Sequence, residues 1–347
     1  MTKPYSSWRI PVQVLIGIAE ELERQGVSRG QFLVGTGLST TILADPSNRI
    51  SIQKHIELIE RAIDLAPTPG IGLDVGKKQT PSSWGILGYA VNCCGTTREA
   101  LLMGARYSRI ASSFNTLQLI ETEQMAYWVA TPPVDLGRVL PFIMEFEFVS
   151  FCRSATLMTG KSDALVEFHC SYPPPPYFKR YGEFFDIPVR FNAKANQILI
   201  HPSGLNYPIL QASPVNTTMA AQLCEEHLAR QPIYDDLAMQ VRSMLLAQPG
   251  TFPSAESIAR SLNMTSRTLR NKLSDADASF QMILDSVREQ LARNQLTYTQ
   301  LKIDDIAWKA GFRDTTSFRR AFKKWTGSTP AEYRIASRSA AKGPQNR

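Results

Sequence analysis

Two short clusters of side chains in the last third of the chain carry groups that can read or hold a duplex. The first is Ser266, Arg267, Arg270 and Asn271; the second is Thr315, Thr316, Ser317, Arg319, Arg320 and Lys323. A guanidinium can bond guanine O6 and N7 with two donors, or pair with phosphate. A carboxamide offers the donor and acceptor that adenine matches, and a threonine can meet a thymine methyl or a base edge. Lys323 and the adjacent Lys324 suit phosphate, which adds affinity and salt dependence without specificity. Arg270 and Thr316 are the foremost candidates for base contact, whereas Ser266 and Ser317 lie nearer the apolar side of their helices. For each of these residues, taken singly, the alternative is a solvated surface position.

Such groups discriminate only when a helix presents them together. Ile303, Ile306, Ala307 and Ala310 recur at i, i+3, i+4 and i+7, giving one apolar stripe on a short helix. Gly311 follows where a turn needs positive φ, and Asp314 can cap a second helix with Phe318, Ala321, Phe322 and Trp325 inward. At about 100° per residue, Thr316, Arg319, Arg320 and Lys323 fall on the opposite face. A helix that packs on one side and shows donors and cations on the other suits a major groove.

The same pattern occurs once more, about 48 residues upstream. Ser254 caps a helix with Ile258, Ala259 and Leu262 inward, Asn263 takes the turn position, and Thr265 caps a helix with Leu269 and Leu273 inward. Ala259 pairs with Ala307 at an offset of 48, and Leu269 with Phe318 and Leu273 with Phe322 at 49. An offset held across both helices indicates two tandem units. The first unit presents Arg267, Arg270, Asn271 and Ser274. Between the copies, Ser279 to Thr297 has no Pro or Gly and keeps apolar residues at helical intervals. Its length corresponds to a rod of roughly 28 Å, against about 34 Å for one turn of DNA. Such a connector would set two reading helices in successive major-groove segments.

The run from Ile303 through Ile306, Ala307, Gly311, Phe312, Phe318, Arg320, Phe322, Lys323, Gly327, Thr329 and Pro330 to Tyr333 and Arg334 resembles the second helix-turn-helix of the AraC/XylS family of bacterial transcription regulators. The resemblance implies an all-α C-terminal DNA-binding domain with two helix-turn-helix units joined by a linker helix. Asn271 departs from it, standing where the family more often carries Arg, so one expected contact is lost or replaced in the first unit.

Charge is placed accordingly. Of the 38 Lys plus Arg and 31 Asp plus Glu, residues 250–347 hold 17 and 9, a net of +8, leaving 21 and 22, a net of −1, for the rest. A basic third beside a neutral remainder is the footprint of one domain that meets phosphate. The N-terminus lacks the apolar run of a signal peptide, and no apolar stretch reaches the ~18 residues of a membrane span. The reading is a cytoplasmic protein without membrane association. Five cysteines without a CxxC favour free thiols; Cys93 and Cys94 are either buried hydrophobes or redox-sensing. Four scattered histidines lack metal-ligand spacing, so no metal and no cofactor is expected.

The N-terminal region reads as α+β, with a small antiparallel sheet covered by helices. Ile10–Gln25 carries Val14, Leu15, Ile18 and Leu22 on one helical face; Ser28 with Gln31, and Thr96 with Glu99, look like capping boxes. Ser51 can cap a helix with Ile52, Ile56, Ile59 and Ile63. Thr116–Glu121 and Met125–Thr131 read as a hairpin, Leu140–Leu157 as a helix, and Ala164–Cys170 and Gln197–His201 as strands. The runs Trp84–Leu101 and Phe185–Ile200 resemble the effector domain of AraC-type regulators of the ornithine-utilisation kind, which carries the label "arabinose-binding". That likeness implies a small-molecule effector of unspecified identity, promoter DNA and RNA polymerase as partners, a homodimer, and an activator. Domains are expected at 1–213 (effector), 214–231 (dimerisation or linker helix), 232–338 (DNA-binding, with units at 254–274 and 302–325) and 339–347 (disordered tail).

Several readings stay open at this level. The stripe Val215, Met219, Leu223 and His227 either forms a dimer edge or packs onto its own domain. Trp84, Tyr89, Phe114, Tyr127, Trp128, Phe146 and Phe148 either line a pocket or form core. Glu145, Glu147 and Arg153 either grip a charged ligand or form a satisfied ion pair. The N-terminal domain could instead sense a protein partner. A methyl-accepting DNA-repair enzyme built on the same DNA-binding unit is the enzymatic alternative, with Cys170 after His169 as its nucleophile.

Overall fold

Side-chain caps start most helices. The computed structural model describes residues 9–111, 114–132, 134–230, 237–246, 250–276 and 278–341, which fall into two units, one before and one after residues 231–236.

The first unit begins with strand β1 (Arg9–Pro11), α1 (Gln13–Arg24) and α2 (Arg29–Leu33), followed by β2 (Arg49–Ser51), α3 (Ile52–Leu65), α4 (Ile71–Lys77), α5 (Gly85–Cys93) and α6 (Thr97–Tyr107). Then come β3 (Thr116–Glu121), β4 (Ala126–Thr131), α7 (Leu140–Thr159), β5 (Leu165–His169), β6 (Val189–Arg190), β7 (Asn196–Ile200) and α8 (Pro214–Arg230). β1 and β2 form a two-stranded antiparallel ribbon, so the helix expected from Ile10 starts only at Gln13. Pro11, with no N–H to give, sits at the edge of that ribbon, where none is needed. The main sheet has the order β3-β4-β7-β5-β6 and is antiparallel except for the short β5–β6 pair.

Ser28 and Gln31 form the reciprocal capping box. At Thr96 only half of one exists: its hydroxyl accepts from the Glu99 N–H, but the Glu99 carboxylate takes the N–H of Gly95 instead. Helix α7 runs two residues beyond Leu157 and stops at Gly160, whose φ of 70° ends it. It packs on the sheet through Phe148 against Phe168 at 4.9 Å and Trp128 against Phe151 at 6.1 Å. On its other side it receives α4 at very close range. A Cβ at Gly72 or Gly76 would meet the carbonyl oxygen of Phe142 or Phe146 at 2.7 and 2.8 Å.

The face of α8 bearing Ala220 and Cys224 is buried among α5 residues such as Ala90 and Val91. The edge formed by Val215, Met219 and Leu223 is exposed, at 72, 58 and 44%. That stripe therefore does not pack within its own unit.

The second unit is all helical: α9 (Leu237–Leu246), α10 (Ala255–Ser261), α11 (Ser266–Asp275), α12 (Phe280–Tyr298), α13 (Ile303–Lys309), α14 (Thr315–Thr326) and α15 (Pro330–Ala341). Residue 339, where a disordered tail was expected to begin, lies inside α15; residues 342–347 lie outside the described ones. Two cores share α12. Ile283, Leu284, Val287 and Leu291 join Ile258, Ala259, Leu269 and Leu273, while Ala292 and Leu296 join Ile306, Ala307, Phe318 and Phe322. A helix buried at both ends in this way cannot bend without opening one core.

Candidate nucleic-acid interface and effector cavity

Turn and cap geometry position the two exposed helices of the second unit. Asn263 and Gly311 adopt φ of 53° and 72°, the left-handed turn each unit needs between its helices. The hydroxyl of Thr265 accepts from the Thr268 N–H, and Asp314 accepts from Ser317 N–H. With Leu269, Leu273, Phe318 and Phe322 buried, Arg267, Arg270 and Asn271 on α11 are exposed, as are Thr316, Arg319, Arg320, Lys323 and Lys324 on α14. Ser266, Thr315 and Ser317 are half-buried. The Thr315 hydroxyl donates to Asp304 Oδ1 at 2.7 Å and that of Ser317 to Asp314 Oδ2 at 2.8 Å, so both protons serve the fold.

One residue that positions this surface escaped sequence reasoning. Arg288 on α12 donates from Nη2 to the Gly311 carbonyl at 2.9 Å, and its guanidinium lies 4.8 Å from the Phe312 ring and 5.6 Å from that of Phe252. It ties the connector to the turn of the second unit. A cation beside the apolar stripe Val287–Leu291 was the available signal.

In the first unit, α5, α6, β3, β4 and α7 line a half-open cavity of about 150 Å³. Four of the seven aromatic candidates, Trp84, Trp128, Phe146 and Phe148, line it; Tyr89 is exposed and Phe114 belongs to the core. Glu145 and Glu147 part company. Glu145 is buried, with Oε1 accepting from the hydroxyls of Tyr177 and Tyr181 at 2.9 and 2.7 Å. Burial pushes its carboxyl up to about 7 against the pull of those two bonds. Glu147 lines the cavity and accepts from Asn115 Nδ2 at 2.8 Å. Arg153 is exposed and borders a second, wider cleft of about 450 Å³ with Lys77 and Asp186.

Four of the five cysteines are held as neutral thiols. Burial pushes the thiols of Cys94, Cys152 and Cys170 up to about 12 and that of Cys224 up to about 11. His169 is held by Glu167 at 2.7 Å and by Gln197 at 2.8 Å, one on each ring nitrogen, rather than by its neighbour Cys170. Among the described residues, no three His, Cys, Asp or Glu side chains come together as a metal site, and no helix is long and apolar enough to cross a membrane.

Comparison with known proteins agrees with this layout. Residues 26–209 match the family described as the arabinose-binding domain of AraC transcription regulator, N-terminal, and residues 258–336 match a helix-turn-helix domain. The chain is 33% identical to the ornithine utilization regulator of Pseudomonas aeruginosa over 94% of its own length and 96% of that protein's. It is 25% identical to an uncharacterised helix-turn-helix transcriptional regulator of Mycobacterium tuberculosis, over 95% and 97% of the two lengths. Among solved structures, the transcriptional regulator CdpR of Pseudomonas aeruginosa aligns at 22% identity with a TM-score of 0.46, covering 92% of this chain and 96% of that one. The chain belongs to the AraC family of transcription regulators.

Proposed function

We propose that the protein is a cytoplasmic, dimeric activator that reads promoter DNA with α11 and α14 and answers to a small effector held in the first unit's cavity. The observation that carries the DNA reading is the duplicated helix pair: two exposed faces bearing arginines, on cores that share one connector helix. Arg267, Arg270 and Asn271 would meet one major-groove segment, and Thr316, Arg319 and Arg320 the next. Lys323 and Lys324 would hold phosphates. Ser266, Thr315 and Ser317 would take part as neighbours of those contacts, with the Thr315 and Ser317 hydroxyls held by Asp304 and Asp314. The exposed Val215–Met219–Leu223 edge of α8 supports dimerisation, and a DNA-bound dimer would engage RNA polymerase.

Footprinting and salt-dependent binding of the full chain test this reading. Protection of two adjacent major-groove segments, with affinity falling steeply between 50 and about 200 mM salt, is expected. Protection of a single segment would overturn it. The ligand must favour one arrangement of the dimer over another, or it shifts nothing. The name of the Pseudomonas relative makes ornithine the first effector to test, and the family label makes arabinose the second. A thermal-shift screen separates a metabolite from a protein partner, because an effector stabilises the unit it binds. The methyl-acceptor alternative needs a thiolate, which the buried thiols disfavour. Mass spectrometry of the cysteines after exposure to alkylated DNA would reveal it.

A further inference from the structure

The effector reading leaves the chemistry of the ligand open, and the lining of the smaller cavity narrows it. A molecule of about 150 Å³ is the size of one ring or a chain of roughly six carbons. Among the described residues, that lining carries no Lys, Arg or His, so no cation there pairs with a carboxylate. Its one acid, Glu147, is engaged by Asn115.

The hydroxyls of the lining are mostly spent. Ser150 donates to the Phe146 carbonyl at 2.6 Å, Thr159 to that of Ala155 at 2.7 Å, Ser108 to that of Ala105 at 3.3 Å and Thr97 to that of Tyr207 at 3.4 Å. Ser154 differs. It lines the cavity at 2% exposure, and its Oγ is buried with no hydrogen-bond partner. A buried hydroxyl left unpaired in a native fold calls for a partner that arrives from elsewhere.

We infer that this cavity takes a small, uncharged, largely apolar molecule with a single hydrogen-bonding group that pairs with Ser154, and takes neither a sugar nor a zwitterionic amino acid. A sugar would bury several hydroxyls where one protein hydroxyl is spare, and each unpaired one lowers affinity by about tenfold or more. Ornithine would bury a carboxylate with no cation beside it. The inference rests on the cavity being the effector site.

Gly104 supplies the means of testing it. This glycine lines the cavity from α6, and a Cβ added there meets nothing within 4 Å. Gly104→Leu therefore fills the cavity without a backbone clash. Calorimetric titration of the full chain with benzyl alcohol, toluene, L-arabinose and L-ornithine should show benzyl alcohol binding about tenfold more tightly than toluene. Ser154→Ala should erase that difference, and Gly104→Leu should abolish both signals. Ala155→Leu, which enters from α7, repeats the filling test if circular dichroism shows the first variant misfolded. Absence of benzyl alcohol binding would overturn the inference. So would arabinose or ornithine binding more tightly than benzyl alcohol and losing that affinity in Gly104→Leu. Ornithine binding abolished by Arg153→Ala instead would place the effector in the wider cleft, and the inference would again fall. Benzyl alcohol binding as expected with no change in DNA affinity would leave the ligand class standing and remove the effector reading.

Discussion

The two helix-turn-helix units share a plan and differ in filling. The first closes over aliphatic side chains, Ile258, Leu269 and Leu273, around a turn made by Asn263. The second closes over rings: Phe318 lies 5.5 Å from Phe312 and 5.7 Å from Phe322, which lies 5.4 Å from Tyr333, beside a turn made by Gly311. Such aromatic pairs add about 0.5–1.5 kcal/mol each beyond burial. Their outer faces differ too. Helix α14 shows Arg319, Arg320, Lys323 and Lys324, whereas α11 shows Arg267 and Arg270 followed by Asn271. A more cationic face on α14 and an amide on the face of α11 pose a division of labour within the two helices: Lys323 and Lys324 for anchoring, Asn271 for discrimination. Each consequence of that division can be measured.

The largest effect belongs to the pair of arginines. Arg270→Ala and Arg320→Ala should each cost about 1–3 kcal/mol of specific binding. Lying in separate units, they should add to about 2–6 kcal/mol in the double variant. Competition between promoter and random DNA reads this directly. Sequence preference that survives in the double variant would break the assignment of both helices.

Next comes the joint that holds the second unit to the connector. Arg288→Ala removes a charge-assisted bond to the Gly311 carbonyl and two ring contacts, so a loss of about 2–3 kcal/mol is expected from urea unfolding of the full chain. The turns themselves should respond unequally. A Cβ at Gly311 would sit 2.7 Å from the Phe252 ring at a φ of 72°, and Gly311→Ala should cost about 2 kcal/mol. Asn263→Ala meets the backbone penalty alone, about 1 kcal/mol. Equal costs would show that the connector holds both turns alike, which the Arg288 contacts argue against.

How much of this could be read beforehand follows from how each feature is encoded. The paired helices were legible because a 3.6-residue period, two turn residues and two caps recur at a fixed offset, all within local sequence. Strands β1 and β2 were not: Arg9–Pro11 merges into the period of α1, and its partner lies some forty residues away. The cavity was less legible still. Its lining runs from Trp84 to Ile209 over helices and strands that no local pattern joins, so Trp84 and Trp128 could be named as candidates while Gly104 and Ser154 could not. The fate of Glu145 was also hidden, since Tyr177 and Tyr181 lie beyond the proline run that follows β5.

The smallest effect sharpens the comparison most. Lys323 is exposed on the last turn of the basic face of α14, four residues past Arg319, where a groove-bound helix meets the sugar-phosphate backbone. Lys323→Ala should weaken binding a few-fold and equally for every sequence. A plot of log affinity against log salt should become shallower by about one counterion. Asn271→Ala should do the reverse, leaving that slope unchanged while relaxing preference at one base position of the first half-site. If Lys323→Ala altered base preference, or Asn271→Ala altered the slope, anchoring and discrimination would not be divided between these residues. The departure of Asn271 from the family's more frequent Arg would then have to be explained as a phosphate contact exchanged for another.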